Sequence, residues 1–115
     1  MRSEELYLRD IIEAAEEIGG FISGLERQAF VGNAIVRSAV LQKLTEIGEA
    51  AGRLSKALRS RHPEIEWRDI AAFRNIAVHA YFAVNWDIVW TAAVQDAPAL
   101  KDQILRVLQD EFPKT

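Results

Sequence analysis

The stretch Arg74–Tyr81 gathers side chains that suit phosphodiester cleavage, namely Arg74, Asn75 and His79. Histidine gives and takes protons near neutral pH. Arginine presents a fork of N–H donors to phosphate oxygens, where negative charge builds in the transition state. Asparagine can orient an imidazole or donate to a phosphate oxygen. Because the 2′-hydroxyl of RNA is an internal nucleophile, the combination indicates RNA cleavage that needs no metal.

The spacing of these residues restricts how they could share one ligand. On a helix, Asn75 and His79 are neighbours because they are four residues apart, and Arg74 and Tyr81 are nearly aligned. Arg74 and His79 point roughly 140° apart. They meet only if the arginine side chain curls round, the helix bends near His79, or a second subunit completes the site. Spacing alone leaves ordinary surface and capping roles as the alternative.

Apolar residues recur at helical spacing through the first half of the chain. A first helix begins at Ser3 and ends near Gly24, and a second runs from Ala34 to about Leu58 after a break and cap at Gly32-Asn33. A loop follows at Ser60–Glu66, because the proline in it disfavours helix at the preceding residue. The two apolar stripes are Leu6, Ile11, Ala14, Ala15, Ile18 and Ile22, then Val36, Val40, Leu41, Leu44, Ile47, Ala51, Leu54 and Leu58.

The second half also reads as helices. A third helix spans Trp67–Tyr81 and carries the polar stretch. Asn85 caps a fourth helix that runs to about Val94. A break at Asp96-Ala97-Pro98 precedes a last helix, Ala99–Glu111. Short connections favour antiparallel neighbours, so we predict an all-α, up-and-down bundle of four to five helices.

Composition limits the class of protein. Residues 1–115 fit one domain, and half of them are hydrophobic. The absence of cysteine excludes disulfides and thiolate chemistry. There is no signal-peptide pattern and no apolar run of ~18 residues, so we expect a cytoplasmic protein without a membrane span.

Charge and side-chain chemistry exclude further functions. The net charge of −3 argues against nucleic-acid binding driven by overall charge, so any RNA contact should be local. A run of basic residues that contains no acidic residue is typical of a solvated helix face or of a rim that attracts phosphate. We expect no cofactor, and no metal site around Glu46 and Glu49. His62 is expected to be incidental. The basic run consists of Arg53, Lys56, Arg59 and Arg61.

Two groups of residues could bring helices or subunits together. Gly48, Ala51 and Gly52 are small and lie close together on one helix, which would allow another helix to approach closely. Trp86 and Trp90 share one helical face, which is typical of a core or an interface. Together they offer more packing surface than a monomer obviously needs, which favours a homodimer.

The motif itself resembles a known signature. Arg74-x4-His79-x-Tyr81, with Asn75 after the arginine, is similar to the R-x4-H-x-Y signature of the HepT-like family of HEPN-domain ribonuclease toxins. The resemblance covers about Leu6 to Leu108, with one departure where Gly32-Asn33 replaces an acidic residue. The other matching blocks are Ile47-Gly48-Glu49-Ala50, Pro63-Glu64-Ile65-Glu66-Trp67, Asp87-Ile88-Val89-Trp90 and Pro98-x-Leu100.

The resemblance implies an assembly as well as an activity. It implies a HEPN-like homodimer with the two motifs facing a cleft at the subunit interface. It also implies a partner, a minimal nucleotidyltransferase antitoxin that can adenylylate Tyr81. The AMP group would add bulk and negative charge beside Arg74 and so compete with RNA phosphate.

Roles follow as hypotheses from this resemblance. Arg74 would bind the scissile phosphate and stabilise its charge, His79 would be general base or acid, and Asn75 would position the imidazole or the phosphate. The side chains expected to orient the site or guide RNA are Glu49, Arg53 and Lys56.

Two other functions remain open at this stage. The first is a non-catalytic HEPN dimer that is only the docking partner or substrate of a nucleotidyltransferase. The second is a nucleotide-binding helper for that transferase.

Overall fold

The computed structural model of the chain describes residues 3–79 and 84–114, without the side chains of residues 77–79. Within these ranges every regular element is helical, which confirms the all-α prediction. The elements are α1 (Glu4–Ile22), α2 (Arg27–Val31), α3 (Ala34–Gly52), α4 (Lys56–Arg61), α5 (Trp67–Ala71), α6 (Arg74–His79), α7 (Trp86–Thr91), a π-helical turn (Ala92–Asp96) and α8 (Ala97–Glu111).

Side-chain caps set the starts of α1, α3 and α7, as the sequence predicts. The Ser3 hydroxyl accepts a hydrogen bond from the amide of Leu6 at 3.3 Å. The side-chain oxygen of Asn33 accepts one from Val36 at 3.1 Å, and that of Asn85 accepts from two amides in the first turn of α7. Each cap satisfies a backbone donor that the helix leaves without a partner.

The core lies where α1 packs against α3 and α8. The predicted stripes are largely confirmed, but Leu6 is wrong, because this side chain is 44% exposed while Leu8 and Ile12 are buried. Leu6 lies about 200° from Leu8 around the helix, and therefore on the opposite face. The fully buried side chains of the three helices include Leu8, Ile11, Ile18, Val40, Leu44, Ile47, Ile104 and Val107.

The second predicted helix is too long. α3 ends at Gly52, because Ser55 caps a new helix by accepting from the amide of Leu58 at 3.1 Å. The amide of Ser55 itself donates to the Glu4 carboxylate. The predicted loop therefore begins after Arg61 rather than at Ser60. A tertiary contact and a local cap here outweigh a continuous apolar pattern.

The predicted third helix is also interrupted. α5 ends at Ala71, and the Phe73 amide bonds the carbonyl of Ile70, three residues back, at 3.0 Å. A new helix then starts at Arg74. The break immediately precedes the polar stretch. The direction of α6, and with it that of the candidate site, is therefore not set by the axis of α5.

The break predicted at Asp96-Ala97-Pro98 is wrong. α7 passes through the π-helical turn directly into α8, and the amide of Ala97 donates to the carbonyl of Ala92, five residues back. Pro98 lies in the first turn of α8, directly after the π-helical turn, so its missing N–H falls where the regular four-residue hydrogen-bond pattern is already interrupted. The wider turn thus lets the helix continue through Pro98, which was expected to interrupt it.

His62 is structural rather than incidental. Its side chain is buried, and Nε2 lies 2.8 Å from Oε2 of Glu111 at the end of α8. Arg61 Nη2 donates to the other oxygen of Glu111 at 2.6 Å, and Trp67 Nε1 donates to the His62 carbonyl at 3.0 Å. The hydrogen bond from Arg61, followed by that from His62, lowers the pKa of Glu111 from 4.5 to about 2. The cluster ties α4 and the start of α5 to the last turn of α8.

We predict that Glu111→Gln weakens the fold in a pH-dependent way. Because folding lowers the pKa of Glu111, the stabilisation is complete above about pH 4.5 and is lost as the pH falls towards about 2. The variant should unfold at lower urea concentration at pH 7, with a flatter pH dependence below pH 5. Asp110→Asn, a neighbouring exposed carboxylate, is the control. Equal acid sensitivity of Glu111→Gln and the wild type would contradict the prediction.

Candidate active site

The first turn of α6 presents the polar stretch to solvent. Arg74 is the first residue of the helix, and both Arg74 and Asn75 are exposed. On the inner side, Ile70 is buried, and Phe73 and Ile76 pack partly buried against the core. The predicted division between a buried side and a polar side is confirmed for these residues.

Gly48 of α3 lies against the joint between α5 and α6. A Cβ atom at this position would lie 2.5 Å from the backbone nitrogen of Arg74 and 3.0 Å from the carbonyl oxygen of Ala71. Carbon atoms do not approach backbone atoms so closely, so only glycine allows this contact. The predicted close approach at the small residues is confirmed. Sequence reasoning missed that the approaching segment is the start of the polar stretch itself.

The arginine side chain extends along α3 from this contact. A Cβ at Gly52, one turn after Gly48, would lie 3.3 Å from Nη1 of Arg74. The guanidinium thus rests against the bare backbone of Gly52. Among the described residues, none forms an ion pair with Arg74. The Arg74 side chain is exposed, so in the part of the chain that the structure describes its charge has no counter-ion.

The other two motif residues are only partly described. His79 is the last residue of α6, and its backbone continues the helix that Arg74 starts. The side chain of His79 and the whole of Tyr81 lie outside the described residues. The five-residue spacing within one helix keeps the two directions roughly 140° apart at the backbone. The meeting of Arg74 with His79 stays a prediction.

Glu49 and Arg53 line a groove on another side of α3. The groove, of about 470 Å³, runs between α1 and α3. On α3, these two residues each follow one of the two contact glycines, so they are turned about 100° away from them. The lining residues are Tyr7, Asp10, Glu13, Ala14, Glu17, Lys43, Glu46, Glu49, Ala50 and Arg53.

The groove is acidic, with five carboxylates against two cations. One of the cations is already engaged, because Lys43 Nζ lies 3.1 Å from Glu46 and 3.3 Å from Glu17. These hydrogen bonds, chiefly that to Glu46, raise the pKa of Lys43. A groove of this charge repels an RNA backbone. The expected roles of Glu49 and Arg53 in RNA recognition stay predictions.

The basic run of the sequence is partly neutralised. Arg61 is paired with Glu111, and Arg59 is half-buried. Arg53 and Lys56 are exposed and form no ion pair with any described residue. Only these two cations of the run could therefore attract phosphate freely.

The tryptophan pair packs inside the chain. Trp90 lies tilted on Phe30 with the ring centroids 5.2 Å apart, and Trp86 meets the same ring edge-on at 6.5 Å. The Arg37 guanidinium lies 4.6 Å from the centroid of Trp86. Both tryptophans are partly buried against the core, so their packing is confirmed, and a role in an interface stays a prediction.

In residues 3–79 and 84–114, no group of three or more metal-binding side chains is placed to hold a metal ion. None of the helices in that part of the chain has the length and apolar character of a membrane span.

Comparison with known proteins identifies the family. The family model described as ribonuclease HepT-like matches residues 11–107. The chain belongs to the HepT-like ribonuclease family. The matched span contains α3 and α6, and so the contact between the two glycines and Arg74. HepT-like membership gives the chain the enzymatic class of a ribonuclease.

Three relatives of this HepT-like ribonuclease match over nearly their whole length. The probable ribonuclease HepT of Thermococcus cleftensis is 37% identical over 87% of this chain and 91% of its own. TTE0752 of Caldanaerobacter subterraneus, provisionally named an RNase, is 32% identical over 96% of this chain and 99% of its own. MJ1380 of Methanocaldococcus jannaschii, also provisionally named an RNase, is 29% identical over 90% and 94%. No solved structure shows significant similarity to the chain.

We predict that Gly48→Ala destabilises the protein although alanine is the better helix former. The gain in helix propensity is about 1 kcal/mol, whereas overpacking against a backbone atom costs about 1–3 kcal/mol. The matched control is Gly19→Ala in α1, where a Cβ meets nothing within 4 Å. Urea unfolding should show a loss for Gly48→Ala and a gain for Gly19→Ala. Equal gains in both variants would refute the close contact.

Proposed function

We propose that this HepT-like protein is a metal-independent endoribonuclease whose catalytic pair is Arg74 and His79. The observation that supports it is the placement of the Arg74 guanidinium. It is exposed, unpaired among the described residues, and seated against Gly52 at the start of the helix that ends in His79. An exposed guanidinium without a counter-ion among the described residues is suited to a phosphate that gains charge in the transition state.

The proposed reaction is an internal transphosphorylation. The 2′-oxygen attacks the adjacent phosphorus, and the bond from phosphorus to the 5′-oxygen breaks. A 2′,3′-cyclic phosphate and a free 5′-hydroxyl result. Arg74 binds the non-bridging oxygens, and Asn75 positions the phosphate or the imidazole. His79 takes the proton from the 2′-hydroxyl or gives one to the departing 5′-oxygen.

A homodimer would supply both proton transfers. Because Arg74 and His79 lie five residues apart on one helix, a second copy offers a direct way to bring an imidazole to each guanidinium. The glycine contact and the tryptophan pair no longer argue for the dimer, since both are occupied within the chain. The proposal therefore depends on the helical spacing and on the family resemblance.

A cytoplasmic toxin–antitoxin role completes the proposal. A minimal nucleotidyltransferase antitoxin would silence the enzyme by adenylylating Tyr81, seven residues after Arg74. The added phosphate would compete with RNA for the Arg74 guanidinium. Lys56, and Arg53 at the edge of the acidic groove, would guide the RNA backbone past the site. Glu49 would orient the catalytic site from α3.

We expect the purified protein to cleave RNA in the presence of EDTA. Arg74→Ala and His79→Ala should each lower the cleavage rate by at least about 100-fold, and Arg74→Lys by about tenfold or more, because lysine lacks the bidentate fork. Arg106→Ala, an exposed arginine on α8, is the matched control. A wild type that leaves RNA intact would favour a docking partner or a nucleotide-binding helper of a nucleotidyltransferase. Cleavage lost on chelation would refute the metal-independent reaction.

We further expect the inactive variants Arg74→Ala and His79→Ala to restore activity when mixed. If arginine and histidine act from different chains, each mixed dimer contains one intact site. Random exchange then recovers on the order of a quarter of the wild-type rate. A mixture that stays inactive although the subunits exchange would place both residues in one chain. Light scattering that shows only the 13.0 kDa species at micromolar concentration would exclude the dimer.

A further inference from the structure

Gly52 has no backbone reason to be glycine. Among the described residues, Gly24 is the one glycine with a positive φ, so any L-residue fits the conformation at position 52. Glycine is also one of the poorest helix formers, and Gly52 lies in the last turn of α3. Its presence therefore calls for another explanation than backbone conformation.

The surroundings of Gly52 contain one specific neighbour. Apart from the backbone of α3 and the two neighbouring residues of the chain, the single described atom within 4 Å of a Cβ at this position is Nη1 of Arg74, at 3.3 Å. Gly48 differs, because its Cβ would meet backbone atoms of Arg74 and Ala71. The two glycines thus do different things for the same arginine. Gly48 admits its backbone, and Gly52 admits its charged end.

We propose that Gly52 is a positioning residue for RNA cleavage. Its missing side chain forms a shallow bay on α3 that holds the Arg74 guanidinium where the scissile phosphate binds. This inference rests on the proposed function, in which Arg74 stabilises that phosphate. It adds a residue that contacts no substrate and acts only through Arg74.

The geometry separates an effect on catalysis from an effect on stability. Nη1 is the end of a flexible side chain, so a new methyl group would displace it by a few tenths of an ångström at little cost to folding. Transition-state stabilisation is far more sensitive, because a misplacement of about 1 Å can cost about 100-fold in rate. Gly52→Ala should therefore lower the rate without lowering the unfolding midpoint, which the better helix propensity of alanine can only raise.

The first test measures single-turnover cleavage of RNA by Gly52→Ala and Gly52→Leu. We expect losses of about three- to tenfold for alanine and more for leucine, since a larger side chain moves the guanidinium further. Gly19→Ala, whose Cβ has open space, should keep the wild-type rate. In an Arg74→Lys background the effect of Gly52→Ala should shrink, because the displaced group is no longer present. An undiminished effect there, or a wild-type rate for both variants, would overturn the proposal.

The second test needs no cleavage. In protein labelled with ¹⁵N-arginine, the Nε–H signal of Arg74 is assigned by its absence from Arg74→Ala. Gly52→Ala should shift this signal and Gly19→Ala should not. If the wild type fails to cleave RNA, the proposed function fails, and this signal still decides whether Gly52 places the guanidinium. An unmoved signal, or a marked drop in the unfolding midpoint of Gly52→Ala, would mean that the glycine only ends or packs the helix.

Discussion

The close contact between the α3 backbone at Gly48 and the joint at Ala71 and Arg74 is the constraint on which the site depends. It fixes where α6 begins, and therefore where the arginine side chain starts. α3 can serve as this platform because its other faces are locked into the core against α1 by residues such as Leu44 and Ile47. The candidate chemistry thus stands on helix packing rather than on a loop.

The faces of α3 differ in charge, so each face attracts groups of a different charge. The groove towards α1 is acidic and retains its own lysine, Lys43, in ion pairs. The side towards α6 presents the guanidinium of Arg74 without a described counter-ion. In the proposed function of a protein with net charge −3, this arrangement would replace the broad basic surface of many nucleic-acid binders. Affinity for RNA then has to come from a few phosphate contacts, with acidic surfaces restricting the approach.

Local features of the fold could be predicted from the sequence, and long-range ones could not. The caps at Ser3, Asn33 and Asn85 depend on neighbouring residues, and the sequence revealed each of them. The end of α3 at Gly52 depends partly on the bond from the Ser55 amide to Glu4, which lies far away in the sequence. For the site, residue types indicated the chemistry and the role of small residues. Only the packed chain shows that both glycines lie next to Arg74.

The π-helical turn gives one continuous rod two differently directed faces. An extra residue in a helical turn rotates everything after it by about a quarter of a circle, on the order of 100°. α7 accordingly packs its aromatic side against Phe30 of α2, while α8 packs its aliphatic side against α1. Removing one residue from Ala92–Asp96 would convert the π-helical turn into an ordinary α-helical turn. The residues after it would then rotate about the helix axis, and Ile104 would leave the interior. The length of this short segment is thus constrained although three of its five side chains, those of Val94, Gln95 and Asp96, are exposed.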